Sequence, residues 1–446
     1  MKIVVLNGSP KGKYSITLQT VEYLQKRFPQ CEFQCIHVGQ RIKSLEKDPS
    51  EAFRIISEAD LLLFSYPVYT FIAPSQLHRF IELLKESGPD ISGKYATQIT
   101  TSKHFYDVTA HKYIEQNCYD LKLKYMHGLS ADMDDLLTEK GRCEAESFWK
   151  QILCNVENDI YQTLPPVFTP AKRQVHTPNM PRTTKQEGFD TVIVTNCEKD
   201  DIHLKNMIAD FIAIYPYNAK VINIGEYSFA GGCLGCFNCA ADGVCIYKDN
   251  FYTFLRNEIQ SACATVYAFT VKDHSMGASF KLYDDRQFCN GHRTVTMGKP
   301  TGYIISGDYH NESNLQTIIG GRAEVGRNYL AGVATDEADI AEELRKLSAK
   351  LCYALENQLS MPQNFYGVGG MKIFRDLIYL MRGLMKADHH FYKKHGMYDF
   401  PQKKAGTVVM MKLVGTLFTI PSIRKKIGSK MNDGMIAPYK KVIEKA

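Results

Sequence analysis

Several features that would define other protein classes are missing from this sequence. No leader is visible: Met1-Lys2-Ile3-Val4-Val5-Leu6 runs straight into an apolar segment, so no secretory signal is expected. An unbroken apolar run of the ~20 residues needed to cross a bilayer is also lacking. Residues 405–420 come short of it, being interrupted by Lys412 and ended by Pro421. Tryptophan is almost absent, and Trp149, the single one, lies in an amphipathic helical pattern that reads as core. No charge of one sign dominates the whole chain, with 54 Lys and Arg against 48 Asp and Glu, which argues against a nucleic-acid-binding protein throughout.

What is present is ordinary globular composition, 44% hydrophobic and 23% charged over 446 residues. That length implies two or three cores. Thirteen cysteines without an export signal point to a reducing compartment, and a cytoplasmic location is expected. The positive charge is concentrated: residues 361–446 hold sixteen Lys and Arg against five Asp and Glu. Nine of the sixteen methionines lie in the same stretch. This tail reads as helices that cap the protein, or touch a partner or an anionic membrane surface.

Short β-branched runs alternate with helical patterns in two successive blocks. In the first, strands are expected at 2–6, 61–65 and 94–100, with a weaker edge strand at 121–126. Helices are expected near 15–27, 50–57, 74–85 and 144–161. Residues 164–188 contain five of the seventeen prolines and read as a linker. The alternation then restarts, with strands at 190–196, 219–224, 264–270, 301–306 and 329–334 and helices at 202–214 and 337–359. Each block implies a parallel sheet covered on both faces. The expected organisation is therefore two α/β domains at 1–163 and 189–360, a linker at 164–188 and a helical tail at 361–446.

After the first strand stands Asn7-Gly8-Ser9-Pro10-Lys11-Gly12-Lys13-Tyr14-Ser15-Ile16-Thr17. A tight turn, hydroxyls and a helix N-terminus in succession suit a phosphate, although capping alone could use the same residues. The strand at 61–65 leads into Tyr66-Pro67-Val68-Tyr69-Thr70-Phe71, and the third into Thr100-Thr101-Ser102-Lys103. In a doubly wound sheet these loops share the edge where ligands sit. Together they resemble the NAD(P)H-dependent FMN reductase group of the flavodoxin-like superfamily, over about residues 1–160. The resemblance implies FMN, with Ser9, Lys11, Gly12, Ser15 and Thr17 at its phosphate. It implies Pro67, Val68, Tyr69, Thr70 and Phe71 against the ring, and Thr101 and Ser102 beside it. The fold class expected is two flavodoxin-like doubly wound parallel-sheet domains in tandem plus a helical C-terminal segment.

The second block carries Cys233, Cys236, Cys239 and Cys245 in the spacing C-x2-C-x2-C-x5-C. Runs of this kind commonly ligate iron–sulfur clusters. Zinc, or free redox-active thiols, are the alternatives. The motif resembles that of the iron–sulfur flavoproteins, which implies a 4Fe-4S cluster held by these four residues. The turn after the second block's first strand, Asn196-Cys197-Glu198-Lys199-Asp200-Asp201, is acidic and would repel a phosphate. FMN is therefore expected in the first domain only. Members of this class dimerise with flavin near the partner, so the duplication can mimic a dimer internally, and a homodimer is a second expectation. The function expected is a flavin oxidoreductase taking electrons from NAD(P)H or ferredoxin. An electron carrier without an enzymatic role, or a scaffold with a structural metal, are the other readings. Tyr69 and Lys103 are the nearest candidates for a proton donor. Asp284-Asp285-Arg286 reads as the end of a structural helix.

Overall fold

The computed structural model describes residues 1–163, 177–422, 439–440 and 442–444. Met1–His389 form one compact unit and His390–Ala446 a second. Most of the proline-rich segment lies outside the described residues.

The first unit contains two sheets. The first is built from β1 (Lys2–Asn7), β2 (Glu32–Ile36), β3 (Leu61–Pro67), β4 (Tyr95–Ser102), β5 (Lys124–Tyr125) and β6 (Leu129–Asp132). Its order is β2-β1-β3-β4-β5, with β6 also on β4. The second is built from β7 (Asp190–Thr195), β8 (Asn218–Asn223), β9 (Ala264–Thr270), β10 (Pro300–Ser306) and β11 (Tyr329–Thr335). Read from the other edge its order is β8-β7-β9-β10-β11, the same 2-1-3-4-5 pattern. Every strand pairing is parallel. This is the doubly wound flavodoxin-like arrangement, in which the order reverses beside the first strand and opens a crevice beyond the strand ends.

The central strands form because their runs are continuously apolar and buried on both faces, as at Ile3, Val4, Val5 and Leu6 in β1 and Leu61, Leu62 and Leu63 in β3. Trp149 is fully buried in the first core, 5.3 Å from the Phe33 ring. The weak edge strand expected at 121–126 is only two residues long and resumes as β6. Gly128 sits between the two pieces, where a Cβ would stand 2.5 Å from the Gln98 carbonyl oxygen. The chain passes β4 too closely there for any side chain.

The two sheets meet through equivalent helices, Ser75–Ser87 after β3 and Gly277–Arg286 after β9. Each supplies a carboxylate to the other's N-terminus. The Ser75 N–H donates to Asp285 Oδ2 at 2.7 Å, and the Ala278 N–H donates to Glu82 Oε1 at 2.7 Å. An anion at a helix N-terminus satisfies an orphan donor and complements the dipole. The reciprocity has the form of a two-fold contact made within one chain. Beyond β11, helix Ile340–Glu356 covers the second sheet and helix Phe365–Leu380 packs on helix Ser313–Gly326.

The second unit, described by itself, contains the short turn Pro401–Lys403 and helix Ala405–Phe418.

Candidate functional site

Loops from both sheets border one cavity of about 470 Å³. Eleven of the twelve residues proposed from sequence for flavin line it: Ser9, Lys11, Ser15, Thr17, Pro67, Val68, Tyr69, Thr70, Phe71, Thr101 and Ser102. Gly12 does not. Its backbone stands at φ +56° and its carbonyl accepts the Asn7 side-chain amide at 2.9 Å, so it shapes the turn. All four motif cysteines, Cys233, Cys236, Cys239 and Cys245, line the same cavity.

At one end, Ser15 caps helix Ile16–Arg27, and the Thr17 and Thr101 hydroxyls meet at 2.6 Å. That contact ties the first turn of the helix after β1 to the end of β4. Ser9 is fixed by its N–H donating to Asn7 Oδ1 at 3.1 Å. Hydroxyls, a lysine and a helix N-terminus thus face one space.

The Pro67–Phe71 turn is strained and held from outside. Thr70 and Phe71 stand at φ +41° and +78°, which a β-branched or bulky residue rarely adopts. The holding groups come from the second sheet's helices. The fully buried Lys281 ammonium donates to the Tyr69 carbonyl at 3.0 Å and to the Thr70 hydroxyl. The Thr70 hydroxyl donates to Asp284 Oδ2 at 2.6 Å, and Arg322 donates to the Thr70 carbonyl at 3.0 Å and to Asp284 at 2.7 Å. Burial pushes the Asp284 carboxyl up, but Arg322, Lys281 and Thr70 together hold it below the ordinary value. For Asp285, burial and the neighbouring Asp284 outweigh Lys281, and its value lies above the ordinary one. Strain kept in place by an over-determined surround is characteristic of functional turns.

The cysteine loop lies directly on this turn. Gly235 is at φ +59°, and a Cβ there would stand 1.9 Å from the Tyr69 hydroxyl oxygen. The Gly235 N–H donates to Cys233 Sγ at 3.4 Å, and the Cys239 thiol donates to the Phe288 carbonyl at 3.2 Å. Arg286 anchors the loop from beneath. It pairs with both Asp249 oxygens at 2.8 Å, donates to the Gly231 carbonyl at 2.9 Å, and lies 4.6 Å from the Tyr247 ring centroid. Its guanidinium is 3.9 Å from Cys245 Sγ. Burial pushes the Cys239 thiol up to about 11 and Cys233 further. Among the described residues, no three His, Cys, Asp or Glu side chains are grouped so as to hold a single metal ion.

Neither proton-donor candidate is poised to release a proton. Burial, with Cys233 and Asp285 nearby, holds Tyr69 well above the usual phenol range. Burial pulls Lys103 down, but Asp132 and Asp134, each at 2.7 Å, hold it above its ordinary value. Asp132 and Asp134 thus both pair with Lys103.

Sequence reasoning missed the rest of the lining. Phe288 packs edge-on to Tyr69 at 5.4 Å, and Phe374 lies 4.2 Å from Phe105 and 4.5 Å from His292. The buried Asp388 accepts from the His292 N–H at 3.2 Å and from Arg293 at 3.3 Å. None belongs to a motif. The only signal for Phe374 is its place in the apolar helix Phe365–Leu380, and Asp388, in the polar helix Lys386–Lys394, has none.

At the corresponding turn of the second block the acidic groups are engaged within the block. The Asp201 carboxylate caps helix Ile202–Ile214 and accepts the Thr270 hydroxyl, while Glu198 pairs with Lys272 at 2.7 Å.

Two doubly wound sheets in the 2-1-3-4-5 order, with ligand-side loops meeting at one cavity, define a flavodoxin-like protein. Residues 1–118 match the family model described as NADPH-dependent FMN reductase. The N-terminal part of the chain is thus similar to that family. The chain is 28% identical over 177 residues to an iron-sulfur flavoprotein of Archaeoglobus fulgidus, covering 37% of this chain and 78% of that protein. Among solved structures, the flavoenzyme NAD(P)H:(acceptor) oxidoreductase FerB of Paracoccus denitrificans is 18% identical, covering 35% of this chain and 97% of that one, at a TM-score of 0.30. An FMN-dependent NADH-azoreductase of Bacillus anthracis is 14% identical, covering 34% and 98%, at a TM-score of 0.27. Among the described residues, no helix is long and apolar enough to cross a membrane.

Proposed function

We propose that the chain is an NAD(P)H-dependent FMN oxidoreductase, with one FMN and one 4Fe-4S cluster in a shared cavity. The observation that carries this reading is that loops 9–17, 67–71 and 101–102 of the first sheet and the four cysteines of the second line the same space. The cavity volume lies in the range of ordinary ligand pockets, roughly 300–1,000 Å³. For FMN, the donor set fits: Ser9, Lys11, Ser15 and Thr17 surround a helix N-terminus suited to the phosphate. Pro67 to Phe71 would meet the ring, with Thr101 and Ser102 at its edge. For the cluster, the chemistry of Cys233, Cys236, Cys239 and Cys245 fits. A cubane takes one thiolate at each of four corners, so its ligands stand round a space instead of converging on one ion. The Arg286 guanidinium beside Cys245 and the Gly235 N–H on Cys233 would both favour thiolates.

When bound, FMN accepts a hydride and releases electrons singly, and the cluster carries one electron at a time. The chain's own groups position and shield. Lys281, Asp284 and Arg322 fix the ring-side turn, Phe71, Phe105 and Phe374 exclude water, and Arg286 holds the cysteine loop against Tyr69. The acidic, self-capped turn at Glu198–Asp201 supports a single flavin per chain. The domain limits 1–163 and 189–360, with a tail from 361, belong to the same reading. Ferredoxin is the alternative donor, and a second copy of the chain a further partner.

Anaerobic purification with flavin, iron and sulfide analysis tests this. One FMN and about four irons and sulfides per chain are expected, with flavin bleaching on NAD(P)H addition. Two FMN per chain would overturn the division between lobes. Flavin that NAD(P)H does not bleach would leave an electron carrier, and a colourless protein would remove both redox readings.

A further inference from the structure

The tail helix Ala405–Phe418 has a composition that neither the cavity nor the sheets use. Lys412 is its only charged residue. Val408, Val409, Met410, Met411, Leu413, Val414 and Leu417 are all 41–64% exposed. Successive residues turn by about 100°, so four consecutive apolar side chains at 408–411 already encircle the helix. A helix apolar on nearly every side needs a surround, because water favours such surface poorly. From residue 408 onward the exceptions share one side. Lys412, Gly415, Thr416 and Thr419 fall on a narrow stripe at i, i+3, i+4 and i+7. The Thr416 hydroxyl donates to the Lys412 carbonyl at 2.9 Å, and the Thr419 hydroxyl to the Thr416 carbonyl at 2.7 Å. These hydroxyls are satisfied within the helix and demand no water.

Charge identifies the surround. Lys403 and Lys404 precede the helix, and Arg424, Lys425 and Lys426 follow it in the sequence. From residue 403 onward there are ten Lys and Arg against two Asp and Glu. Pairing with a second copy would bring these like charges together and cover one face only. Fourteen residues rise about 21 Å, short of the ~30 Å hydrocarbon core. The helix is therefore too short to span, too apolar for water, and flanked by cations.

We propose that helix Ala405–Phe418 is an interfacial anchor for an anionic lipid surface. It seats its broad apolar face at the boundary between headgroups and acyl chains, while Lys403, Lys404 and the extended Lys412 stem reach the lipid phosphates.

The full chain is tested by flotation with vesicles of phosphatidylcholine alone and with ~30% phosphatidylserine. Binding is expected only to the anionic vesicles, and it weakens as salt rises. Val409→Glu with Leu413→Glu abolishes binding while FMN reduction by NAD(P)H in solution stays unchanged. Lys403→Gln with Lys404→Gln weakens binding about fivefold per charge removed, following ~1 kcal/mol per surface cation. Three results overturn the proposal. They are absence of binding to anionic vesicles, retention after alkaline carbonate extraction as for a spanning segment, and a concentration-dependent dimer without lipid that the Val409→Glu, Leu413→Glu variant dissolves.

Discussion

Replacing Lys281 by methionine removes the charge that joins the two sheets while keeping the length and apolar stem of the side chain. The ammonium is completely buried and contacts Asp284, Asp285, the Thr70 hydroxyl and the Tyr69 carbonyl. Without it, two buried carboxylates share one remaining cation, Arg322, which reaches only Asp284. Breaking a buried ion network from one side costs about 3–5 kcal/mol, chiefly because a charge is left uncompensated. Asp285 already sits above its ordinary value, so it can take up a proton, which puts the expected loss near the lower end, about 3 kcal/mol. The pH dependence has a definite sign. A carboxyl whose folded value is raised binds its proton in the native state before the unfolded chain does as pH falls. The deficit is therefore largest at neutral pH and shrinks as pH falls through the raised folded value. Urea unfolding at pH 7.5 and pH 5 measures it, with the slope unchanged. Adding Asp285→Asn removes the stranded charge and recovers at least ~1 kcal/mol, a coupling of the size seen between contacting residues. FMN affinity falls with the single variant, because the Thr70–Phe71 turn loses the groups that hold its strained backbone. A single variant within ~0.5 kcal/mol of the parent, or a double variant no more stable than the single, would refute the reasoning.

Gly235→Ala places a methyl group against the Tyr69 hydroxyl at a left-handed position, so the cysteine loop shifts. A drop in both iron content and FMN affinity is expected at a stability cost of about 1–2 kcal/mol, read by metal analysis and fluorescence titration. Ser15→Ala removes the cap of the first helix, costing about 1 kcal/mol, and weakens FMN more than riboflavin, since only the former carries a phosphate. Burial pulls His274 down, but Asp120 and Glu312, at 3.0 and 2.7 Å, raise it to about 9. Its contribution to stability is thus full below its ordinary value of ~6.5 and is lost as pH rises through about 9. The stability difference between parent and His274→Gln should shrink between pH 6 and pH 9.5, and a difference constant over that range would contradict the assignment.

Local chemistry was legible in the sequence and remote pairing was not. The strand Ala264–Thr270 and helix Ile202–Ile214 have the limits expected from sequence, because each is a self-contained apolar pattern bounded by turn residues. β2, Glu-Phe-Gln-Cys-Ile, was missed because it is an edge strand with much of its surface exposed and no continuous run to mark it. Helix Asp107–Asp120 was missed for the opposite reason. It buries Thr109, Ala110, Tyr113, Ile114, Asn117 and Cys118, including polar residues that a stripe search counts as outside. Asn117 is inside because it bonds the Tyr113 carbonyl and, from the second sheet, the Asp273 carbonyl.

Helix Gly277–Arg286 carries the same lesson into the site. Lys281, Asp284, Asp285 and Arg286 form a charged cluster that composition assigns to solvent, yet all four are buried. Their partners Thr70, Ser75 and Asp249 lie 37 to 215 positions away, so no short window of sequence contains these contacts. The flavin loops and the cysteine run could each be read alone, since phosphate and thiolate chemistry need only neighbours. Their meeting at one cavity depends on this helix. Asp285 joins it to the helix of the first sheet, Lys281 and Asp284 clamp the ring-side turn, and Arg286 holds the cysteine loop. Four buried charges within six residues are costly to stability by themselves. They set the register, because sliding the two helices by one turn would part Ser75 from Asp285 and Thr70 from Lys281 and Asp284, and carry the cysteine loop away from Tyr69.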